Sequence, residues 1–293
     1  MQPGHHAMRH LLIPVIASTI ISTAYATNNQ LERSVCGSLK EPFTFWMWRS
    51  AAGSPANNAA AHYSNVQPLE HRTADGRLLR GYRIKSTQAD ERFIGTVLVA
   101  QGNAMLADQL LPDLSTFADA GLDVWIFDYR GYGNSEGKSR LKAMVSDYRE
   151  LFARLHSTTQ GKHFLYGISF GGIVLLNVIG SGIAYDRVVI DSTPSLISNE
   201  GCPAEYDPAA NLPTDASRFL LIAGEQDNVV SPEASSKLMN LAQSRGARVE
   251  IRGEFAHPFM DKSLQLHQLR LKLVRDFFTT VPPAINKAIS SQE

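Results

Sequence analysis

The chain has 293 residues, 44% hydrophobic and 19% charged, with 28 Lys plus Arg balanced by 28 Asp plus Glu. This composition suits a soluble globular protein with ample material for a core, excludes extended disorder, and lets one α/β domain account for most of the length. A formal charge of zero provides no basic excess to hold phosphates, so nucleic acid is not an expected partner.

At the N-terminus, Arg9 and His10 precede an apolar run from Leu11 to Ile21, and Ala24-Tyr25-Ala26 has the small-x-small form of a cleavage site. Residues 1–26 therefore read as a signal peptide, whether translation starts at Met1 or Met8, and the exported protein, periplasmic or secreted, is expected to begin near Thr27. As a membrane span the segment is short of the roughly 20 apolar residues required and is diluted by Ser18, Thr19, Ser22 and Thr23. Lipid attachment at Cys36 is disfavoured because Arg33-Ser34-Val35 lacks a small residue directly before the cysteine. Cys36 and Cys202 are the two cysteines, and both would enter a compartment where disulfides persist. They are candidates for one bridge, two unpaired thiols being the alternative; no CxxC or Cys/His cluster suggests a metal.

Residues 27–67 read as a lead-in segment, with an irregular surface connection over 50–65. Leu69–Arg72 and Leu78–Ile84 then flank the Asp75-Gly76 turn of a β-hairpin, which predicts an antiparallel sheet edge. Six short apolar runs follow as strand candidates: Thr96–Ala100, Val124–Phe127, Phe164–Tyr166, Val188–Ile190, Phe219–Ile222 and Val249–Ile251. Helical spacing marks Met105–Ala120, Lys142–His156, Phe170–Val178, Glu233–Ser244 and Leu264–Phe278. Such alternation predicts an α/β fold, a mostly parallel doubly wound sheet over 68–280 followed by a tail at 281–293, with chemistry gathered outside the carboxyl ends of the strands.

One of those strand ends carries Gly167-Ile168-Ser169-Phe170-Gly171-Gly172, followed by the helix-forming Ile173-Val174-Leu175-Leu176. This is a G-x-S-x-G nucleophile elbow in its required setting, and it makes Ser169 the candidate nucleophile. Such a serine needs a base and an orienting acid, in the chain order Ser, Asp or Glu, His. Asp227 stands after the strand Phe219–Ile222 and His257 after Val249–Ile251, so they are the candidate acid and base; Glu225 and Asp191 are rival carboxylates. For the oxyanion, the amide of Phe170 and that of Asn103, in the loop Gln101-Gly102-Asn103-Ala104 after another strand, are the candidate donors.

Together with that loop and the elbow, the block Asp128-Tyr129-Arg130-Gly131-Tyr132-Gly133-Asn134-Ser135 resembles the serine-aminopeptidase-like (S33-type) branch of the α/β-hydrolases, over roughly Pro68 to Phe278. The resemblance implies an α/β-hydrolase fold and a Ser-His-Asp triad acting without cofactor or metal on a small-molecule or acylated substrate. It leaves Asp128 and Arg130 a structural role. Two departures stand out: the family usually has His-Gly-Asn-Ala where this chain has Gln101 in place of the histidine, and the segment 193–217 is too short for the helical lid of many relatives, so little or no cap is expected. The expected function is hydrolysis of a carboxylic ester, thioester or amide. An acyltransferase with the same triad and a non-catalytic binding protein on the same fold are the alternatives.

Overall fold

Described residues run from 30 to 280 in the computed structural model, so the signal-peptide reading over 1–26 and the tail over 281–293 fall outside them. Among these residues eight strands form one sheet: β1 (Val66–Arg72), β2 (Leu78–Ile84), β3 (Gly95–Ala100), β4 (Leu122–Phe127), β5 (Lys162–Ile168), β6 (Arg187–Asp191), β7 (Phe219–Gly224) and β8 (Arg248–Arg252). Their order is β1-β2-β4-β3-β5-β6-β7-β8. The β1–β2 hairpin and the β2–β4 pair are antiparallel, and every pair from β4 to β8 is parallel. The expected architecture is thus observed, hairpin edge included.

Helices cover both faces. One face carries α1 (Lys40–Ala52), α3 (Leu141–Thr158), α4 (Phe170–Ile179) and α6 (Pro232–Ser244), while α2 (Leu111–Ala118) and α7 (Leu264–Thr279) cover the other. Strands β3, β4 and β7 are buried along their whole length, which is why Val97–Ala100, Val124–Phe127 and Phe219–Ile222 within them appear as continuous apolar runs rather than alternating ones. The helix expected over 105–120 divides into a 3₁₀ turn at Ala107–Leu110 and α2, whose first turn carries Pro112.

The lead-in segment is where the structure departs most from expectation. Its part from Lys40 to Ala52 forms α1, which ends at Gly53 in a positive-φ conformation. Phe45 and Ala52 are buried against the core, yet Phe43, Trp46 and Met47 face outward, so apolar residues surround the helix and no amphipathic period betrays it. Cys36, just ahead of α1, is bridged to Cys202. Glu41, buried in the first turn, accepts from the amides of Val35 (2.5 Å), Cys36 (2.8 Å) and Leu141 (2.8 Å). Helix α1 also contributes a wall to the cleft described below. The expectation of little or no cap holds for the segment between β6 and β7, which contains short turns and the four-residue α5 (Pro208–Asn211).

Arg130, the arginine of the Asp-Tyr-Arg-Gly block, is fully buried among carboxylates: Asp147 at 2.5 Å, Asp75 at 2.5 Å and Glu32 at 3.3 Å. Asp128 accepts the Ala107 amide at 2.8 Å, and burial above all raises its pKa to about 6.

Candidate active site

Ser169 joins β5 to α4 with φ 54° and ψ −114°, a conformation that non-glycine residues rarely adopt and that persists only when neighbours over-determine it. They do so from several sides. The Ser169 amide donates to the Asp191 carbonyl (2.8 Å), and the Thr193 hydroxyl donates to the Ser169 carbonyl (3.0 Å). A β-carbon on Gly171 would stand 1.9 Å from the Ala100 carbonyl oxygen, and one on Gly172 would stand 1.9 Å from Thr193 Oγ1. Glycine at both positions is what lets α4 start this close to β3 and β6.

Register sets the loop Gln101-Gly102-Asn103-Ala104 beside this turn. Ala100 pairs with Gly167, so Gln101-Gly102-Asn103 leaves β3 alongside Ile168-Ser169-Phe170. Gln101 is fully buried: its Nε2 donates to the Phe127 carbonyl (3.0 Å), its Oε1 accepts from Tyr148 (3.3 Å), and its carbonyl accepts from Tyr129 (2.7 Å). The glutamine thus pins the loop to β4 and α3 through a satisfied polar network, which is how the departure from histidine is accommodated. Among the described residues neither the Asn103 nor the Phe170 amide has a hydrogen-bond acceptor, so both donors remain available.

Asp227 and His257 follow β7 and β8, two and three strands from β5 at roughly 4.8 Å each. His257 Nδ1 lies 2.8 Å from Asp227 Oδ2, while Asp227 Oδ1 accepts the amides of Val229 and Val230, both at 2.8 Å. Burial raises the Asp227 pKa, but the His257 hydrogen bond and the two amides outweigh it, and the net shift is downward. An ionised carboxylate only accepts, so His257 Nδ1–H is the donor across this contact. Of the rival acids, Glu225 is exposed and Asp191 is taken up by Arg270.

The sequence reading missed that arginine, which lies in α7. Arg270 is buried and donates to Asp191 Oδ1 (2.7 Å), to both oxygens of Asp261 (3.0 Å each) and to the Ala256 carbonyl (2.6 Å). Asp191 holds the Ser169 amide through its carbonyl, and Ala256 precedes His257. One guanidinium therefore ties the serine turn to the histidine loop. A helical arginine among Leu-rich turns carries no sequence sign of this; an inward-facing position on the α7 stripe is the one available hint.

A cleft of about 490 Å³ opens in front of Ser169, lined among others by Asn103, Phe170, Val229, Lys237 and, from α1, Trp48. Phe170 packs on Trp48 (5.5 Å), Phe45 (5.6 Å) and Tyr129 (5.5 Å). Among the described residues no His/Cys/Asp/Glu group has the arrangement of a metal site, and no helix is long and apolar enough to cross a membrane.

Comparison with known proteins places these features in context. The family model for serine aminopeptidase, S33, matches residues 92–200. The protein YfhR of Escherichia coli K12 is 30% identical over 219 residues, 68% of this chain and 76% of that protein. Polyketide transferase claH of Penicillium crustosum is 28% identical over 162 residues, covering 53% of this chain and 52% of the transferase. In fold, the chain is similar to the Pyrococcus furiosus esterase Pf2001 (TM-score 0.61, 15% identity, 76% of this chain and 95% of that one). It is also similar to XC6422 of Xanthomonas campestris, described as an α/β serine hydrolase without lid (TM-score 0.55, 17% identity, 75% and 98%).

Proposed function

This chain belongs to the serine aminopeptidase (S33-type) family of the α/β-hydrolases, and from that premise we propose that it is a serine hydrolase cleaving carboxylic esters through Ser169, His257 and Asp227. The carrying observation is the 2.8 Å contact of His257 Nδ1 with an Asp227 carboxylate already fixed by two amides, on the same sheet edge as the strained Ser169. His257 Nε2 takes the Ser169 hydroxyl proton as Oγ attacks the acyl carbonyl. The oxyanion that forms accepts from the Phe170 and Asn103 amides, each such donor being worth about 10²- to 10³-fold in rate. His257 then returns the proton to the departing alkoxide, leaving an acyl-Ser169 ester. Water, deprotonated by the same histidine, releases the acid and regenerates the serine. Asp227 holds the tautomer and stabilises the imidazolium.

Thioesters and amides fit the same steps with a thiol or amine as leaving group. A second reading, acyl transfer to an alcohol in place of water, is favoured by the similarity to claH, whose name records a polyketide transferase. The reading of residues 1–26 as a signal peptide, with the chain exported, is supported by the Cys36–Cys202 disulfide, since such bonds persist in oxidising compartments. Hydrolysis of p-nitrophenyl acetate and butyrate by residues 27–293, with fluorophosphonate labelling, tests the main proposal. Turnover and labelling are expected, and both should vanish in Ser169→Ala; a folded protein that neither turns over nor labels refutes it. Ester product formed from an added alcohol would favour the transferase.

A further inference from the structure

Resting on the acyl-enzyme reading above, we propose that α1 and the Cys36–Cys202 disulfide roof an acyl-chain site, making this chain selective for unbranched aliphatic acyl groups of about eight to ten carbons. Beside the Ser169 cleft lies a second cavity of about 250 Å³ beneath α1, and Trp48, Phe170, Ile173, Ile197 and Glu200 line both. Phe170 thus has two faces to its role: its amide is offered to the oxyanion, and its ring forms part of the wall along which the substrate's acyl chain would run.

The cavity's chemistry favours a hydrocarbon. Phe45, Trp48, Leu141, Ile173 and the disulfide make up much of its wall. Rings of Phe45, Trp48 and Phe170 pack on one another at 5.4 to 5.6 Å, edge-on or tilted. Glu41, the buried carboxylate at the edge, already accepts from three amides. At the outer rim Lys40 and Glu200 close an exposed ion pair of 2.8 Å, a polar boundary that an alkyl chain would not cross. A volume of about 250 Å³ is about eight times the roughly 30 Å³ share of one liquid water, and a methylene group is of similar size. With the carbonyl and about one further carbon held at Ser169, chains of about eight to ten carbons fill it, and an acetyl group leaves it empty. Helix α1 and both cysteines lie outside residues 92–200, the stretch matched by the family model.

The test is kcat/KM for p-nitrophenyl esters from acetate to laurate, together with calorimetric titration of decanoate into Ser169→Ala. On the proposal, kcat/KM rises about threefold to fourfold per methylene from butyrate to octanoate, the value of burying one CH₂, and falls at laurate. Thr44→Trp, which fills the cavity from α1, and Cys36→Ser with Cys202→Ser, which unclips its roof, should each lower the octanoate-to-acetate ratio at least tenfold and weaken decanoate binding in the Ser169→Ala background. An enzyme that labels and turns over with a flat or falling profile beyond butyrate overturns the proposal while leaving the hydrolase reading intact. Decanoate binding that Thr44→Trp abolishes, in a protein that neither labels nor turns over, upholds the site and sinks only the hydrolase reading. Absence of decanoate binding overturns the site.

Discussion

The two sides of the Ser169 cleft are built on opposite plans. On the Asp227–His257 side, loops leaving β7 and β8 are held by buried charge: Arg270 links Asp191, Asp261 and the Ala256 carbonyl, with its guanidinium 4.3 Å over the Phe255 ring. On the α1 side, a helix from outside the sheet is held by a covalent clip, a capped Glu41 and aromatic packing on Phe170. The first plan fixes atoms to within a hydrogen bond, as the proton transfer proposed for His257 requires. The second encloses space, and enclosing space tolerates looser geometry. The cleft thereby separates what must be positioned from what must only be covered.

Substitutions on each side should expose that division. The largest effect is expected from Asp227→Asn, which keeps the shape but lets the histidine adopt the wrong tautomer; kcat should fall roughly 10⁴-fold with little change in thermal midpoint. A much smaller loss in a folded variant would argue that the acid lies elsewhere. Arg270→Met leaves the Asp191 and Asp261 carboxylates buried and unpaired, at a stability cost of about 3–5 kcal/mol in urea titrations, and it should reduce acetate hydrolysis as the Ala256–His257 loop loosens. On the other wall, Cys36→Ser with Cys202→Ser should cost about 2–4 kcal/mol, because the bridge spans 166 residues and restrains the unfolded chain. Its effect on acetate turnover should be the smaller of the two. The reverse ranking would break the comparison.

Finer probes follow. Gln101→Ala removes the bonds to the Phe127 carbonyl and from Tyr148, which keep each other and the Val99 carbonyl as partners, and should cost about 0.5–1.5 kcal/mol per lost bond, visible as a lowered midpoint in thermal melts. The smallest effect concerns pH. Because the Asp227 pKa is depressed in the folded state, the stability it contributes is present above the ordinary carboxylate range and is lost as pH falls through the lowered value. The difference in stability between the wild type and Asp227→Ala should therefore shrink on acidification below about pH 4, the ordinary carboxylate range, and a difference that stays constant would contradict the assigned shift.

Much of the architecture was legible because its signals are local. Val97–Ala100, Val124–Phe127 and Phe219–Ile222 appear as unbroken apolar runs because both faces of their strands are covered, and the Gly-x-Ser-x-Gly spacing encodes a turn too tight for β-carbons. Helix α1 escaped because apolar side chains on all its sides erase the period by which a helix is recognised. Arg270 escaped because an arginine in a helix is ordinarily a solvated one, and its partners lie off the helix, Asp261 and Ala256 in the loop before it and Asp191, 79 residues away.

By itself, then, the sequence determined the order of strands and helices, the hairpin edge, and the residue types available at the strand ends, since each depends on neighbours within a few positions. Which carboxylate meets His257, whether Cys36 reaches Cys202, what holds Gln101 in place of a histidine, and what roofs the cleft were decided only by the tertiary structure. Those are distances between residues far apart in the chain. They arise when the parallel sheet brings the ends of β3, β5, β6, β7 and β8 to one edge and the N-terminal segment folds back across it.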